Sequence, residues 1–233
     1  MDQRFLSLLP EVLQKVVADA ENLAGSPVVV RSGDAASEFD DIELRPRDEA
    51  GIAHAVITYR GDSITRCALV HEVLHIKRYW LENVPVLRFP VTSRFGFEAR
   101  LIEELLEHLV IVPEERKFVS TESDAHWSAV LDQKIREISP LSANRSDAER
   151  AALQRNVYRA MFDIALPHLD NRLLYERLGK AGELEASHRF VRALRPLVPD
   201  KLRALSFVVQ TFRYDQQGFR AASMDLEARP RGR

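Results

Sequence analysis

The chain has 233 residues, 45% of them hydrophobic and 29% charged, enough apolar material for one large domain or a domain and a half. Its 33 basic residues nearly balance 35 acidic ones, and the net charge of -2 excludes a general attraction to nucleic acid or to an anionic membrane. A single cysteine, Cys67, excludes an intramolecular disulfide and a cysteine-rich zinc site, so any metal must rest on histidines and carboxylates.

At the start of the chain, Phe5 to Leu9 is too short for the apolar core of a signal peptide, and Glu11, Lys15, Asp19 and Glu21 interrupt the residues after it. No apolar run approaches the roughly 18 residues of a membrane span. A cytoplasmic protein with no membrane partner is expected. Residues 7–24 place Leu9, Val12, Leu13, Val16, Ala20 and Leu23 at helical spacing, with Gly25-Ser26-Pro27 as a stop. Val28 to Val30 predicts a short strand, residues 32–41 a polar loop, Ile42 to Leu44 a second strand and residues 45–49 a turn. Ile52 to Tyr59 carries the strongest strand pattern, closed by Gly61-Asp62. Asp62 or Ser63 is the expected cap of the next helix. His54, on that strand, reads as an ordinary core or surface histidine.

The helix so capped contains Cys67-Ala68-Leu69-Val70-His71-Glu72-Val73-Leu74-His75-Ile76. Histidines four apart share a helix face about one turn from each other, so both imidazoles can reach one tetrahedral metal. Glu72 then lies beside the metal, where a base must be to take a proton from an activated water. From Ala68 to Ile76 these three are the only ionisable groups. Such a trio inside an apolar helix is costly unless something compensates it, and a metal does. Cys67 shares the face of His71 one turn earlier and is expected to pack rather than to bind metal. The helix is expected to continue through Lys77-Arg78-Tyr79-Trp80, with Pro85 and Pro90 marking an extended connection.

A catalytic zinc needs a third protein ligand. A helix is predicted over residues 97–112, ended by Pro113, with an apolar stripe of Leu101, Ile102, Leu105, Leu106, Leu109 and Val112. On a helical wheel Glu98 falls within the stripe, His108 on its edge and Glu104 one step beyond. Glu103 and Glu107 fall on the far side, where acids are expected to be solvated. Burial alone points to Glu98 or His108. Beyond this, helices are predicted over about 122–138, 146–165, 169–179 and 183–213, punctuated by Pro140, Pro167, Pro196, Pro199 and Gly182. Leu131, Ile135 and Ile138 form one core stripe, and Leu153, Val157, Met161 and Ile164 another. His126, His168 and His188 lack ligand spacing. The closing Arg229-Pro230-Arg231-Gly232-Arg233 reads as a disordered basic tail with too few charges to predict a nucleic-acid partner. There is no internal repeat, phosphate-cradling glycine loop or nucleophile elbow.

The stretch around His71-Glu72-Val73-Leu74-His75 resembles the signature of the zincin metallopeptidases. The resemblance implies a zinc hydrolase acting on a peptide or protein, with Zn2+ held by His71 and His75 and Glu72 as the base. Strands, a tight turn and then the motif helix are similar in order to the upper half of zincin folds, where the last strand supplies an edge that aligns the substrate. The metzincin branch requires Gly at position 78 and His at position 81; Arg78 and Leu81 exclude it. The gluzincin-like arrangement implies a third ligand on the downstream helix. There, Glu107-His108 followed by an apolar run and Pro113 looks like the second block of bacterial intracellular HExxH proteins. Glu98-Ala99-Arg100 resembles the Glu-Ala-Asn block of the ImmA/IrrE metallopeptidases, with Arg100 in place of Asn. His108 is the first choice, with Glu107 and Glu98 as alternatives.

The expectation is therefore an α+β protein: a zincin-like metal-binding domain over 1–118, a helical region over 119–225 and a disordered tail over 226–233. The rival is a helical regulatory or interaction protein whose zincin site is degenerate or structural.

Overall fold

A computed structural model describes residues 1–33, 41–88, 96–138, 145–214 and 219–224. Residues 34–40 of the loop expected over 32–41, the prolines Pro90 and Pro140 and the basic tail lie outside the described residues. Over the described residues the fold is α+β, with eight α-helices and two small sheets. The chain divides into two compact units: Met1–Val86 with Lys117–Val119 in the first, and Leu87–Arg116 with Ser120–Ala222 in the second.

In the first unit, a short α1 (Gln3–Leu6) precedes α2 (Glu11–Ala24). Helical spacing lets α2 bury Leu13, Val16, Val17, Ala20 and Ala24, while Val12 stays 65% exposed. Gly25 ends the helix at φ +76°, its N–H donating to the Glu21 carbonyl. That left-handed conformation is why a glycine stands there. Strands β1 (Val29–Ser32), β2 (Asp41–Arg45) and β3 (His54–Tyr59) form a sheet in the order β1-β3-β2, with β1 parallel and β2 antiparallel to β3. On β3, Ala55, Ile57 and Tyr59 are buried while their neighbours are more exposed, the alternation its sequence carries. The expected edge role of this last strand is corrected. Both sides of β3 are already hydrogen-bonded to neighbours, so it has no edge for a peptide.

The motif helix is α3 (Arg66–Ile76), packed against α2, β2 and β3. Its cap is Thr65, not Asp62 or Ser63; the Thr65 hydroxyl accepts from the Ala68 N–H at 3.1 Å. Burial on either side of the cap explains the shift. Ile64 just before it and Leu69 in the first turn are both buried, the arrangement of a hydrophobic staple. A π-helical turn, Lys77–Leu81, extends α3.

The second unit is mostly helical. Its two-stranded sheet pairs β4 (Val86–Arg88) with β5 (Arg220–Ala222). Helix α4 runs from Gly96 to Glu137 and is broken only at Val119 (φ -143°, ψ 49°). Pro113, expected to end a helix, does not. Proline removes one backbone hydrogen bond and crowds the preceding turn, but Ile111, Val112 and Glu115 around it are almost fully buried, and packing holds the helix through it. The stripe residues Leu101, Ile102, Leu105, Leu106, Leu109 and Val112 are all buried. Four further helices complete the unit: α5 (Arg145–Ala160, extended by a π turn, Met161–Ala165), α6 (Arg172–Lys180), α7 (Leu184–Leu194) and α8 (Lys201–Thr211). The single helix expected over 183–213 is thus two. Pro196 and Pro199 interrupt it, and Asp200 starts α8 by accepting from the Arg203 N–H at 3.1 Å. The core of this unit gathers Leu131, Ile135, Ile138, Leu153, Val157, Phe162 and Leu174. Among the described residues, no helix is long and apolar enough to cross a membrane.

Candidate metal centre

The centre is built on α3. Leu69, Val70, Val73 and Leu74 are at most 2% exposed, which seats the helix in the core of its unit. Burying side chains of this size contributes about 2 kcal/mol each. That packing fixes the face carrying His71 and His75, both half-buried. Their Nε2 atoms lie 3.2 Å apart, with ring planes at 77°. Two nitrogens each about 2.05 Å from a common tetrahedral ion are separated by about 3.3 Å. The pair therefore has the spacing of ligands to one ion. The same distance is that of a hydrogen bond between the two rings, whose donor and acceptor depend on the tautomers. Glu72, next to His71, is 6% exposed.

Beyond His75 the helix widens. The Glu82 N–H donates to the Lys77 carbonyl at 2.9 Å, five residues back, and the Glu82 carboxylate meets Lys77 Nζ at 3.2 Å and Arg78 Nη1 at 3.6 Å. Within this turn the buried Tyr79 lays its ring nearly parallel to that of His75, centroids 5.7 Å apart and planes at 12°. Cys67, one turn before His71, is buried and forms no disulfide.

The three α4 residues considered as a further ligand have different surroundings. Glu98 is buried, and its Oε1 accepts from Arg150 Nε at 2.7 Å. Burial, followed by the charge of Glu98, pushes the Tyr214 hydroxyl pKa well above its usual value. Glu107, expected on a solvated face, is fully buried: Lys201 Nζ lies 2.8 Å from its carboxylate and 2.6 Å from that of Glu103. The ammonium from α8 explains this correction, since a cation between two acids offsets their desolvation. His108 is half-buried, its ring edge-on to Trp127 with centroids 4.9 Å apart. Trp127 Nε1 in turn donates to Glu115 at 3.3 Å.

The remaining histidines occupy local pairings. His54 is exposed and 3.6 Å from Asp48, whose carboxyl is held low chiefly by the Ile52 backbone N–H. His168 lies 3.0 Å from Asp124. His126 packs against Trp127, and His188 is exposed. Two residues escape a reading of the sequence alone. Tyr79 has a readable signal, its position four residues after His75. Lys201 has none, because its contacts are made by residues remote in the chain. Comparison of the chain with protein-family profiles, with curated proteins and with solved structures returns no match.

Proposed function

We propose that the chain is a zinc-dependent hydrolase of peptide bonds, with His71, His75 and His108 as the metal ligands and Glu72 as the base. One observation carries the reading: the 3.2 Å separation of the His71 and His75 Nε2 atoms on a helix otherwise committed to the core. The choice of His108 over its alternatives is supported by charge. The carboxylates of Glu98 and Glu107 are each engaged by a cation, Arg150 and Lys201 respectively, whereas an imidazole is an ordinary zinc ligand. All three histidines are half-buried.

Zinc held by these residues would supply a Lewis acid for the scissile carbonyl. The chain's own part is to orient and to move protons. The imidazoles bind through lone pairs, and so act as neutral rings. Glu72 would take a proton from the attacking water at a carboxylate oxygen and pass it to the leaving amine as the C–N bond breaks.

The test is metal content followed by hydrolysis. Purified protein should carry one equivalent of zinc, and His71→Ala should abolish it. Zinc far below one equivalent, unchanged by that substitution, removes the proposal. Glu72→Gln should keep the zinc and lose cleavage of a library of unstructured peptides. Full zinc occupancy with no cleavage in the unsubstituted chain would instead favour a structural site in a regulatory protein.

A further inference from the structure

The geometry around His75 points to a positioning role for Tyr79: we propose that its ring holds the His75 imidazole in the orientation that binds metal. This rests on the zinc reading above. His75 is a half-buried ring on the last turn of α3, and α3 itself fixes only its Cα and Cβ. Rotation about its second side-chain torsion would swing Nε2 away from His71, because that torsion is broad. Two ring contacts oppose the rotation. His71 meets His75 edge-on at 77°, with centroids 4.9 Å apart. Tyr79 covers the ring nearly face to face at 12°, with centroids 5.7 Å apart, within the range of offset stacking. His71, His75 and Tyr79 thus form a ladder at four-residue spacing along one side of the helix.

The π turn makes this ladder specific. Residues 77–81 leave the ordinary helical ladder, and Glu82 pins them through its backbone N–H and through Lys77 and Arg78. Such turns are uncommon and concentrate at functional sites. Here the turn immediately follows the second histidine and carries the buried tyrosine that stacks on it. The stacking face, not the hydroxyl, does the holding. Phenylalanine should therefore substitute and an aliphatic residue of similar bulk should not.

The experiment compares the full-length chain with Tyr79→Phe and Tyr79→Leu. The first readout is Zn2+ and Co2+ affinity by competition titration, under conditions where all three proteins are folded. The second is the imidazole 15N shifts of His75 in metal-free protein. Tyr79→Phe should match the unsubstituted chain in both. Tyr79→Leu should bind metal at least about ten-fold more weakly, the scale seen when a group orienting a ligand is removed, and should move the His75 shifts. A packing role alone would lower the melting temperature and leave affinity and shifts unchanged, and that result overturns the proposal. Equal loss in Tyr79→Phe overturns it too, because the hydroxyl would then be the active part. If the unsubstituted chain takes up no metal, the zinc reading falls, and the positioning of His75 is judged by the shifts alone: unchanged shifts in Tyr79→Leu overturn it, while shifts moved only in Tyr79→Leu sustain it.

Discussion

Glu72 and Lys201 show how two buried charged residues take opposite assignments. Glu72 neighbours a pair of imidazoles whose nitrogens are spaced for one ion, and the proposed function assigns its carboxylate to proton transfer. Glu72→Gln keeps the shape and removes the base; cleavage should fall by about 10²-fold or more with zinc content unchanged, checked by metal analysis beside a peptide assay. Lys201 is 7% exposed and its ammonium joins the carboxylates of Glu103 and Glu107. Its role is to keep two acids inside a helical core. Lys201→Met leaves both without that cation and should cost about 3 kcal/mol, the scale for breaking a buried pair. Adding Glu103→Gln and Glu107→Gln to the same chain should recover most of that loss, measured by urea unfolding. No recovery would mean that the ammonium acts through other contacts.

At the scale of elements, α3 and α4 illustrate where helical rules hold and where packing overrides them. The spacing of Leu69, Val70, Val73 and Leu74 forecasts a buried α3, and that is what forms. Pro113 forecasts an end to α4, and instead the break comes at Val119. The ion pair of Arg116 with Asp124, 2.6 Å between Nε and Oδ1, brackets that break in sequence, and His168 joins the same carboxylate. The Arg116 hydrogen bond is the largest cause holding the Asp124 carboxyl below its ordinary pKa of 3.8. A carboxyl lowered in the folded state stabilises the fold above its unfolded pKa and loses that contribution as pH falls through the folded value. Asp124→Asn should therefore destabilise the chain at pH 7. The difference should shrink steadily below about pH 4, seen in denaturant midpoints measured across pH. A difference that stays constant to about pH 2, below the ordinary carboxylate range, would assign the effect to packing.

For the molecule as a whole, the proposed metal binding would be linked to stability. An ion that binds the folded chain and not the unfolded one stabilises it by RT ln(1 + [L]/Kd), about 2.7 kcal/mol at a hundred-fold excess over Kd. Chelation of zinc should lower the melting temperature, and His71→Ala should show no response to zinc or chelator. A melting temperature indifferent to zinc in the unsubstituted chain would contradict the proposed ligand set.

The chemistry proposed for the centre is legible from residues 67–76, because a metal-spaced histidine pair needs only helix geometry, and helix geometry repeats every turn. The strand β3 is legible for the same reason, since its period of two is local. The cap at Thr65 is not, because the start of α3 depends on burial of Ile64 and Leu69. Tertiary structure alone decided that β3 is central, that α4 passes Pro113 and that Glu107 is buried against Lys201, an ammonium shared with Glu103 98 residues away. Each of those outcomes is a balance between a local preference of about one to a few kcal/mol and the burial of several side chains worth about 2 kcal/mol apiece. Sequence alone determined which residues could bind metal and the local periods that formed α2, α3 and β3. Tertiary structure determined which local preferences gave way, because burial adds over many distant contacts that no short window of sequence contains.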